Sequence, residues 1–358
     1  METTKNETTA EIQHRSVGYS HSDDFATLLS RLGVMLLVST YQAGKLVAIG
    51  SHENQLTLDF HNFDRPMGIA IDDSRDAMAI AGREKVWFLL NERDVANRLD
   101  PPGSYRNCFL TRSAHVTGPI QTHEMAYIAG ELWVVNTLFS CLCSIGGKHS
   151  FKPRWKPPFV TELAAEDRCH LNGMAIESDR VAYVTAMAAS DTARGWRTTK
   201  ATSGRVIDVL TGEDVATGFA MPHSPRVHHN KLFVLDSGRG ALKHIDRVNG
   251  ATSTIARFPG YTRGLAMTDC YAFVGLSRIR ETSTFGGVPI AEDRERLKCG
   301  VAVVELTTGK LVGQFEFTSG VEEIFDVKLI YESIRSAIRG PFSTEDGEAP
   351  LWVVPSAE

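Results

Sequence analysis

The chain has 358 residues, of which 42% are apolar, with a formal net charge of -5 and a pI of about 6.2. This apolar fraction is sufficient for a large core, and the mixed charges exclude the basic surface typical of proteins that bind nucleic acid or anionic membranes. No apolar run approaches the roughly 20 residues of a membrane span, and the polar N-terminus lacks the apolar segment of a signal peptide, so we expect a cytoplasmic protein without a membrane partner.

The cysteines are scattered along the chain and form no Cys-x-x-Cys pair. This spacing favours buried free thiols over a disulfide framework or a cysteine metal site. The six cysteines are Cys108, Cys141, Cys143, Cys169, Cys270 and Cys299.

The N-terminal region predicts a disordered tail followed by one short helix. Residues 1–21 are polar and without periodicity. Ser22-Asp23-Asp24 can cap a helix over Phe25–Leu32, which Gly33 would end. Its leucines would lie on one apolar face, so residues 22–33 are predicted to dock on the remainder of the protein.

From Val34 to residue 330, short apolar runs separated by turn residues predict strands in a single domain. The first group has only three strands: Met35–Thr40, Lys45–Ile49 and Leu56–Phe60. Five groups of about four strands follow, at residues 67–112, 123–155, 171–219, 225–258 and 263–317. Residues 321–330 predict one further strand, and residues 331–358 form a C-terminal extension.

A polar head followed by a small, apolar run recurs six times, about 40 to 60 residues apart, which is typical of a β-propeller. In that fold the first strand of each four-stranded blade lines a central channel, so the heads should converge around one axis. The six heads are Arg65–Ile71, His123–Ile128, His170–Ile176, His223–Val227, Thr262–Met267 and Val321–Val327.

The strand count predicts how the ring closes. Three N-terminal strands and the single strand at 321–330 together make one complete blade, which removes the open edges of the ring. We therefore predict an all-β, six-bladed propeller closed by pairing of N- and C-terminal strands. Seven blades are the alternative if Leu351–Val354 begins another unit, and an array of β-sandwiches is a weaker one.

Several segments resemble a family of bacterial conserved hypothetical proteins, and the resemblance spans nearly the whole chain without implying a particular reaction. The segments are Leu37–Lys45, His123–Met125, Arg168–Gly173, Met221–Arg226, Phe273–Ser277 and Gly320–Val327. At the level of fold, the chain is also similar to six-bladed propellers of the gluconolactonase-like and peptide-amidating-lyase types.

These two enzyme groups suggest what the heads could do. The run from His170 to Ala175 is similar to the Asn-Gly strand opening of the gluconolactonase-like group, whose acidic metal ligands are only partly matched here. The amidating lyases hold zinc with three histidines near an arginine, and the heads are similar to that site in kind. Fold alone does not establish function.

Three histidines occupy equivalent head positions in consecutive blades. His123, His170 and His223 could form the ligand set of a divalent metal ion, with zinc as the first choice and iron or copper next. Glu124, Glu323 or Asp326 could add a ligand or orient a ring. An organic ligand without metal and a purely structural role remain alternatives. Five further histidines fall outside this repeat register and are interpreted as ordinary: His61, His115, His228, His229 and His244.

Arginines in or beside the heads complete the predicted site. Arg65 and Arg263 would hold a negative charge on the substrate, because guanidinium groups bind carboxylate or phosphate bidentately. Glu124 or Glu323 would transfer protons. The alternative is that the arginines pair with the acidic heads across the channel. The predicted substrate-binding residues are Arg226, Asn172, Tyr41, Arg197 and Arg278.

Two long loops, residues 188–203 and 278–298, follow the second strand of their blades and should overhang the mouth that the heads line, as lids. Ser237, in a strand-end turn, is a weaker candidate for a nucleophile. No nucleotide-binding glycine motif or GxSxG elbow occurs in a suitable context.

The pattern favours a metal-dependent hydrolase or lyase that acts on a small anionic or peptide-like substrate in the central pocket. A non-catalytic propeller that binds a protein, peptide or small ligand is the first alternative. A metal-dependent oxygenase is the second.

Overall fold

Six small β-sheets arranged in a ring form a six-bladed β-propeller, as the sequence predicts. The computed structural model describes residues 16–279, 286–331, 335–349 and 351–354. A strand, β1 (Tyr19–His21), and a helix, α1 (Phe25–Leu32), precede the ring. Within the described residues, no helix is long and apolar enough to cross a membrane.

The strands alternate with short turns, as the apolar runs predict. Blade I contains β2 (Val34–Ser39), β3 (Lys45–His52) and β4 (Gln55–Asn62). Blade II contains β5 (Ile69–Asp72), β6 (Ala77–Ala81), β7 (Lys85–Asn91) and β8 (Asn107–Val116), with helix α2 (Arg93–Ala96) before β8. Blade III contains β9 (Thr122–Ile128), β10 (Glu131–Asn136), β11 (Cys141–Gly146) and β12 (His149–Trp155).

Blade IV contains β13 (Leu171–Glu177), β14 (Arg180–Ala186), β15 (Gly204–Asp208) and β16 (Asp214–Phe219). Blade V contains β17 (Pro222–His228), β18 (Lys231–Asp236), β19 (Ala241–Ile245) and β20 (Thr252–Arg257). Blade VI contains β21 (Tyr261–Met267), β22 (Tyr271–Ser277), β23 (Cys299–Glu305) and β24 (Leu311–Phe317). Two C-terminal strands follow, β25 (Asp326–Tyr331) and β26 (Ser336–Arg339).

The ring closes between the two ends of the propeller, which confirms the predicted closure. Strand β25 pairs antiparallel with β2 over its whole length, from Val34 opposite Tyr331 to Ser39 opposite Asp326. It becomes the inner strand of blade I, between β21 and β5. The seven-bladed alternative is wrong, because residues 351–354 form no strand and the described strands make six sheets.

Helix α1 has the predicted limits. Gly33 ends it in the left-handed conformation, with φ of 62°, and its N–H bonds back to the last turn. The buried Phe25, Leu28 and Leu29 pack where blades I and VI meet. The predicted side-chain cap is wrong: among the described residues Asp24 receives no capping bond, and the Phe25 N–H instead donates to the Ser22 carbonyl.

Both chain ends add strands that the sequence does not predict. Residues Tyr19–His21 lie in the predicted tail, but as β1 they extend blade VI beyond β24, with Tyr19 opposite Phe317. Residues 1–15 of that tail lie outside the described residues. In the C-terminal extension, β26 pairs parallel with β8 and becomes the fifth strand of blade II.

The cysteines are free in the described structure, as predicted, and five of the six are buried. Most of the apolar core lies between neighbouring blades rather than around the channel. The group centred on Phe273, Val301 and Val38, for example, joins blades VI and I. The channel itself is therefore left to the polar heads.

Ending the chain at Phe317 should abolish cooperative unfolding, because it removes the inner strand of blade I and exposes the apolar faces of β2 and β21. Thermal unfolding followed by circular dichroism checks this. The control ends at Leu351, beyond β26, and should melt like the complete chain. A cooperative transition in the shorter chain would contradict the closure as a requirement for folding.

Candidate functional site

The three head histidines meet at one mouth of the channel. His123 lies in β9, His170 immediately precedes β13, and His223 lies in β17. The ring centroids of His123 and His170 are 5.0 Å apart, and those of His123 and His223 are 6.4 Å apart. The repeat register therefore brings these residues together, as expected for equivalent positions on adjacent inner strands.

His123 and His223 are held by the same local arrangement. Gln121 and Met221, two residues earlier in each case, have positive φ. Their carbonyl oxygens lie 3.0 Å from Nδ1 of His123 and of His223, respectively. A carbonyl only accepts hydrogen bonds, so Nδ1 of both rings must carry the proton.

In blades III and V, a hydroxyl group that follows the second strand also contacts Nδ1 of the head histidine. Thr137 Oγ1 lies 2.7 Å from His123 Nδ1 and donates to the Leu171 carbonyl at 2.5 Å. Ser237 Oγ lies 3.0 Å from His223 Nδ1. Because this nitrogen is already protonated, it is not positioned to remove a proton from Ser237. The geometry therefore argues against Ser237 as a nucleophile activated by His223.

His170 is oriented differently, by a carboxylate. Its Nδ1 lies 2.9 Å from Asp167 Oδ1, and Trp196 Nε1 donates to Asp167 Oδ2 at 3.0 Å. The ring centroid of Trp196 is 4.3 Å from that of His170. A carboxylate that accepts the Nδ1 proton of a histidine fixes the tautomer and increases the basicity of Nε2.

All three rings therefore present Nε2 as the atom available for a ligand. Burial, and next the nearby Arg263 cation, hold the pKa of His123 and His223 well below the usual 6.5, so both rings are neutral. In the described part of the chain, Nε2 of His223 is buried without a hydrogen-bond partner. An unpaired buried lone pair is uncommon in folded proteins and indicates a ligand atom or a bound solvent molecule.

The nitrogens are not all at the separations of a formed metal site. Among the described residues, the only group of three side chains with ligand atoms within 4.8 Å of one another lies elsewhere, at His61, Asp346 and Glu348. Zinc–nitrogen bonds of about 2.0–2.1 Å keep two nitrogens on one ion within roughly 4.2 Å. Binding one ion by all three head histidines would therefore require at least one ring to shift.

A small cavity of about 10 Å³ lies beside the histidines, which is close to the space that one water molecule needs. Asn172 contributes a donor to it: Thr185 donates to its Oδ1 at 2.6 Å, whereas its Nδ2 has no partner among the described residues. The cavity thus offers an acceptor and a donor. It is lined by His123, Glu124, Asn172, His223, Ser224, Arg263, Phe325 and Asp326.

Arg263 brings a buried positive charge to this cavity. Its guanidinium carbon lies 3.3 Å from the centroid of the Phe325 ring, and its Nη1 lies 3.5 Å from Glu323 Oε1. The side chain is only 5% exposed, and burial lowers its pKa. Arg263 and Glu323, both predicted from the sequence, are therefore neighbours beside the histidines.

Glu124 and Arg226, also predicted as site residues, are paired with each other across the channel. Glu124 Oε2 accepts from the Met174 N–H at 2.9 Å, and Arg226 Nε donates to the Leu265 carbonyl at 2.9 Å. Both side chains thereby link inner strands of different blades. The alternative in which arginines pair with acidic residues across the channel therefore applies to Arg226. It applies less closely to Arg263, whose Nη1 is 3.5 Å from Glu323.

The other predicted residues lie at the mouth of the channel. The Tyr41 ring is 5.6 Å from that of Phe325, and the exposed Arg65 lies 5.9 Å from the Tyr41 centroid. Arg197 is exposed and lies 5.7 Å from the centroid of Trp196. Arg278 is half-buried, and its N–H donates to the Glu322 carbonyl.

The two long loops pack against each other over the histidines. Trp196, in residues 188–203, belongs to one buried apolar cluster with Tyr261 and with residues of 278–298. We call this cluster the cap; its buried members are Met187, Ala188, Trp196, Met221, Tyr261, Ile279, Val288 and Leu297. Both loops therefore lie on the predicted side of the ring. Residues 280–285 of the second loop lie outside the described residues.

The sequence alone missed several residues that support the histidines: Asp167, Trp196, Thr137 and Tyr261, whose hydroxyl lies 3.4 Å from His223 Nδ1. One signal was available. A hydroxyl residue directly follows the second strand in blades III and V, at Thr137 and Ser237. Trp196 gave none, because its contact with Asp167 spans 29 residues of the chain.

A sequence model described as "Domain of unknown function (DUF4915)" matches residues 23–338. The chain belongs to this family. No curated protein sequence matches this chain.

Solved structures support the architecture. A chain from the crystal structure of a nidogen/laminin complex is similar with a TM-score of 0.54 and 8% identity, over 84% of this chain and 99% of that one. A Bacteroides caccae protein of unknown function is similar with a TM-score of 0.50 and 9% identity, over 83% and 98%. At 8% and 9% identity, the similarity shows that the DUF4915 chain shares the fold of these proteins, and it does not indicate a function.

The buried neutral histidines should make stability depend on pH. The folded-state pKa of His223 lies below 6.5, so the unfolded chain binds more protons as the pH falls through and below about 6.5, and the free energy of unfolding decreases. We expect His223→Gln to reduce this slope by up to about 1.4 kcal/mol per pH unit below about pH 6. Urea unfolding in EDTA measures it.

The matched control for this pH experiment is His229→Gln, because the side chain of His229 is 61% exposed. It should keep the slope of the unchanged protein. Equal slopes for the unchanged protein and His223→Gln would mean that His223 is charged in the folded state.

Proposed function

We propose that this DUF4915 protein is a metal-dependent enzyme of the hydrolase or lyase type, which binds a small anionic substrate at the head histidines. The observation that carries the proposal is the shared orientation of the three rings. Each of His123, His170 and His223 has Nδ1 directed at a protein acceptor, which leaves Nε2 for a ligand. Three converging imidazoles, two of which line one cavity, suit zinc, iron or copper.

The Asp167–His170 pair supports this choice of ligand. Metal-binding histidines usually donate their second ring N–H to a carboxylate or a carbonyl, and both kinds of acceptor occur here. A purely structural histidine would be expected to use both nitrogens. His223 Nε2 instead lies buried and unpaired within the described structure.

When bound, a divalent ion would polarise a carbonyl or phosphoryl oxygen or lower the pKa of a water molecule. Arg263 would bind the negative charge of the substrate, because its guanidinium is buried beside the cavity with Glu323 at 3.5 Å as its acidic neighbour. Asn172 Nδ2 would donate to a substrate oxygen. The cap would exclude water from the reacting groups.

Glu323 is a better candidate than Glu124 for proton transfer. Glu124 already accepts from the Met174 N–H and contacts Arg226, so it is committed to joining the blades. Glu323 is about 20% exposed and lies 3.5 Å from Arg263, which lines the cavity. It can therefore reach both a substrate and solvent, as a group that exchanges protons must.

The substrate must be small or must displace the cap. The cavity has room for about one water molecule. The loop residues of the cap lie outside the blade strands, whereas Tyr261 belongs to β21, so movement of the two loops alone would not disturb the ring. Tyr41, Arg65, Arg197 and Arg278 surround the mouth and would meet an anionic or peptide-like substrate as it enters.

The second candidate is a binding module that performs no reaction. It is favoured by the separation of the histidine nitrogens and by the Arg263 charge, which would by itself hold an anion. One similar chain comes from a complex between two proteins, nidogen and laminin. Elemental analysis of untagged protein distinguishes the two: near-stoichiometric zinc, iron or copper supports the enzyme, and no uptake after reconstitution supports the module.

His170→Ala should remove most of the metal affinity of the central site while the β-sheet spectrum and cooperative melting persist, because His170 lies at the mouth and not between blades. The single changes at His123 and His223 should be nearly as damaging to binding as the triple change, since the ligands act as a unit. Calorimetric titration with zinc measures the affinity of each variant.

His244→Ala is the control for the ligand variants, because His244 lies in β19 outside the repeat register; it should bind zinc normally. Unchanged central-site binding by His170→Ala, or unfolding by all three single changes, would mean that the histidines are structural.

Asp167→Asn should weaken metal binding about 10- to 100-fold, the usual effect of losing a carboxylate that orients a ligand. Asparagine tolerates the positive φ of 52° at this position, so the backbone should be kept. The control is Asp179→Asn, at an exposed position with φ of 54°. An unchanged zinc affinity in Asp167→Asn would remove His170 from the ligand set.

A further inference from the structure

A second group of metal-ligating side chains lies at the rim of the propeller, away from the channel. His61 is near the end of β4, the outer strand of blade I, whereas Asp346 and Glu348 follow β26 in the C-terminal extension. One ligand atom from each lies within 4.8 Å of the other two. We call these three residues the rim cluster.

The rim cluster has four buried polar atoms without hydrogen-bond partners in the described structure. They are both ring nitrogens of His61, Oδ2 of Asp346 and Oε2 of Glu348. His61 is only 3% exposed, so water cannot readily satisfy its ring. Buried polar groups in folded proteins nearly always have partners, and four exceptions in one place indicate an absent ligand.

The other oxygen of each carboxylate is already held. Asp346 Oδ1 accepts from the N–H and the Nδ2 of Asn62, at 2.8 and 2.6 Å. Glu348 Oε1 accepts from Arg339 Nη1 at 2.7 Å. Ligating carboxylates in metal sites are commonly oriented by such bonds, which leave the second oxygen for the ion.

The two carboxylates of the rim cluster supply negative charge for a cation, and the Arg339 guanidinium, 2.7 Å from Glu348 Oε1, balances a part of it. A bound cation would compensate for burying the second oxygen of each carboxylate.

We propose that His61, Asp346 and Glu348 bind one divalent transition-metal ion, with Zn²⁺ as the first choice and Mn²⁺ as the second. One imidazole and two carboxylates form a donor set that both ions accept. The ion would fasten the C-terminal extension, which carries the fifth strand of blade II, to the outer strand of blade I. Its role would be structural and independent of the head histidines.

The experiment uses the untagged full chain in the His170→Ala background, so that the central site does not contribute. Protein treated with EDTA and exchanged into chelator-free buffer is titrated with Zn²⁺ and with Mn²⁺ by calorimetry, and its Tm is measured with and without each ion. We expect one equivalent to bind and the Tm to rise. Hydrogen exchange at the β26 amides should slow when the ion binds.

Adding Glu348→Gln should weaken ion binding at least about 100-fold and abolish the rise in Tm. A residue that only orients a ligand would cost about 10- to 100-fold, so the larger loss identifies a direct ligand. The matched control is Glu345→Gln, the same change at an exposed position in the same turn, which should bind normally. If Glu348→Gln does not fold, Asp346→Asn replaces it, since its amide oxygen can still accept from Asn62.

Three results would overturn the proposal. They are no binding of either ion by folded His170→Ala protein, equal affinity in the Glu348→Gln and Glu345→Gln variants, and binding without any effect on β26 exchange or Tm. A Tm that responds to pH but not to either ion would identify the rim cluster as a proton-linked contact instead.

Discussion

The pairing of β25 with β2 is the interaction on which the remaining structure depends. It joins segments about 290 residues apart and seals the ring. Asp326, at the start of β25, accepts from the Ile69 N–H of blade II, and Ser39 donates to the Met67 carbonyl and accepts from the Asp326 N–H. The same turn carries Phe325 to the cavity. Ring closure therefore positions both Phe325 in the cavity lining and the inner strand of blade II.

The channel heads serve two purposes, which explains why their residue types alone do not reveal their role. Glu124 bonds to the backbone of blade IV, Ser224 to that of blade VI, and Thr137 links blades III and IV. Such groups satisfy backbone atoms that no sheet can pair, so they are required whatever the protein does. Among the buried side-chain atoms without a hydrogen-bond partner in the described structure, His223 Nε2 and Asn172 Nδ2 belong to the cavity lining and are the more informative ones for function.

Local sequence patterns predicted the repeating elements well. Alternation and turn residues depend on neighbours in the chain, so blades, α1 and the convergence of His123, His170 and His223 could be predicted. The strands β1 and β26 could not, because segments of three or four residues become strands only when a distant sheet edge accepts them. Trp196 and the rim cluster depend likewise on contacts across loops and termini, and His61 is outside the repeat register that identified the other histidines.

The electrostatics of the central cavity constrain the proposed chemistry. Arg263 is buried there, 3.5 Å from the more exposed Glu323, whereas the carboxylates of Glu124 and Asp326 in the cavity lining face Arg226 and Lys328. A divalent cation entering alone would be repelled by the guanidinium, and an anion entering alone would meet histidine lone pairs. An ion bound by the imidazoles together with an anion held by Arg263 relieves both conflicts, because each charge then has an opposite neighbour in a medium of low dielectric constant. On the proposed function, metal and anionic substrate should therefore bind cooperatively, each increasing the affinity for the other by the same factor.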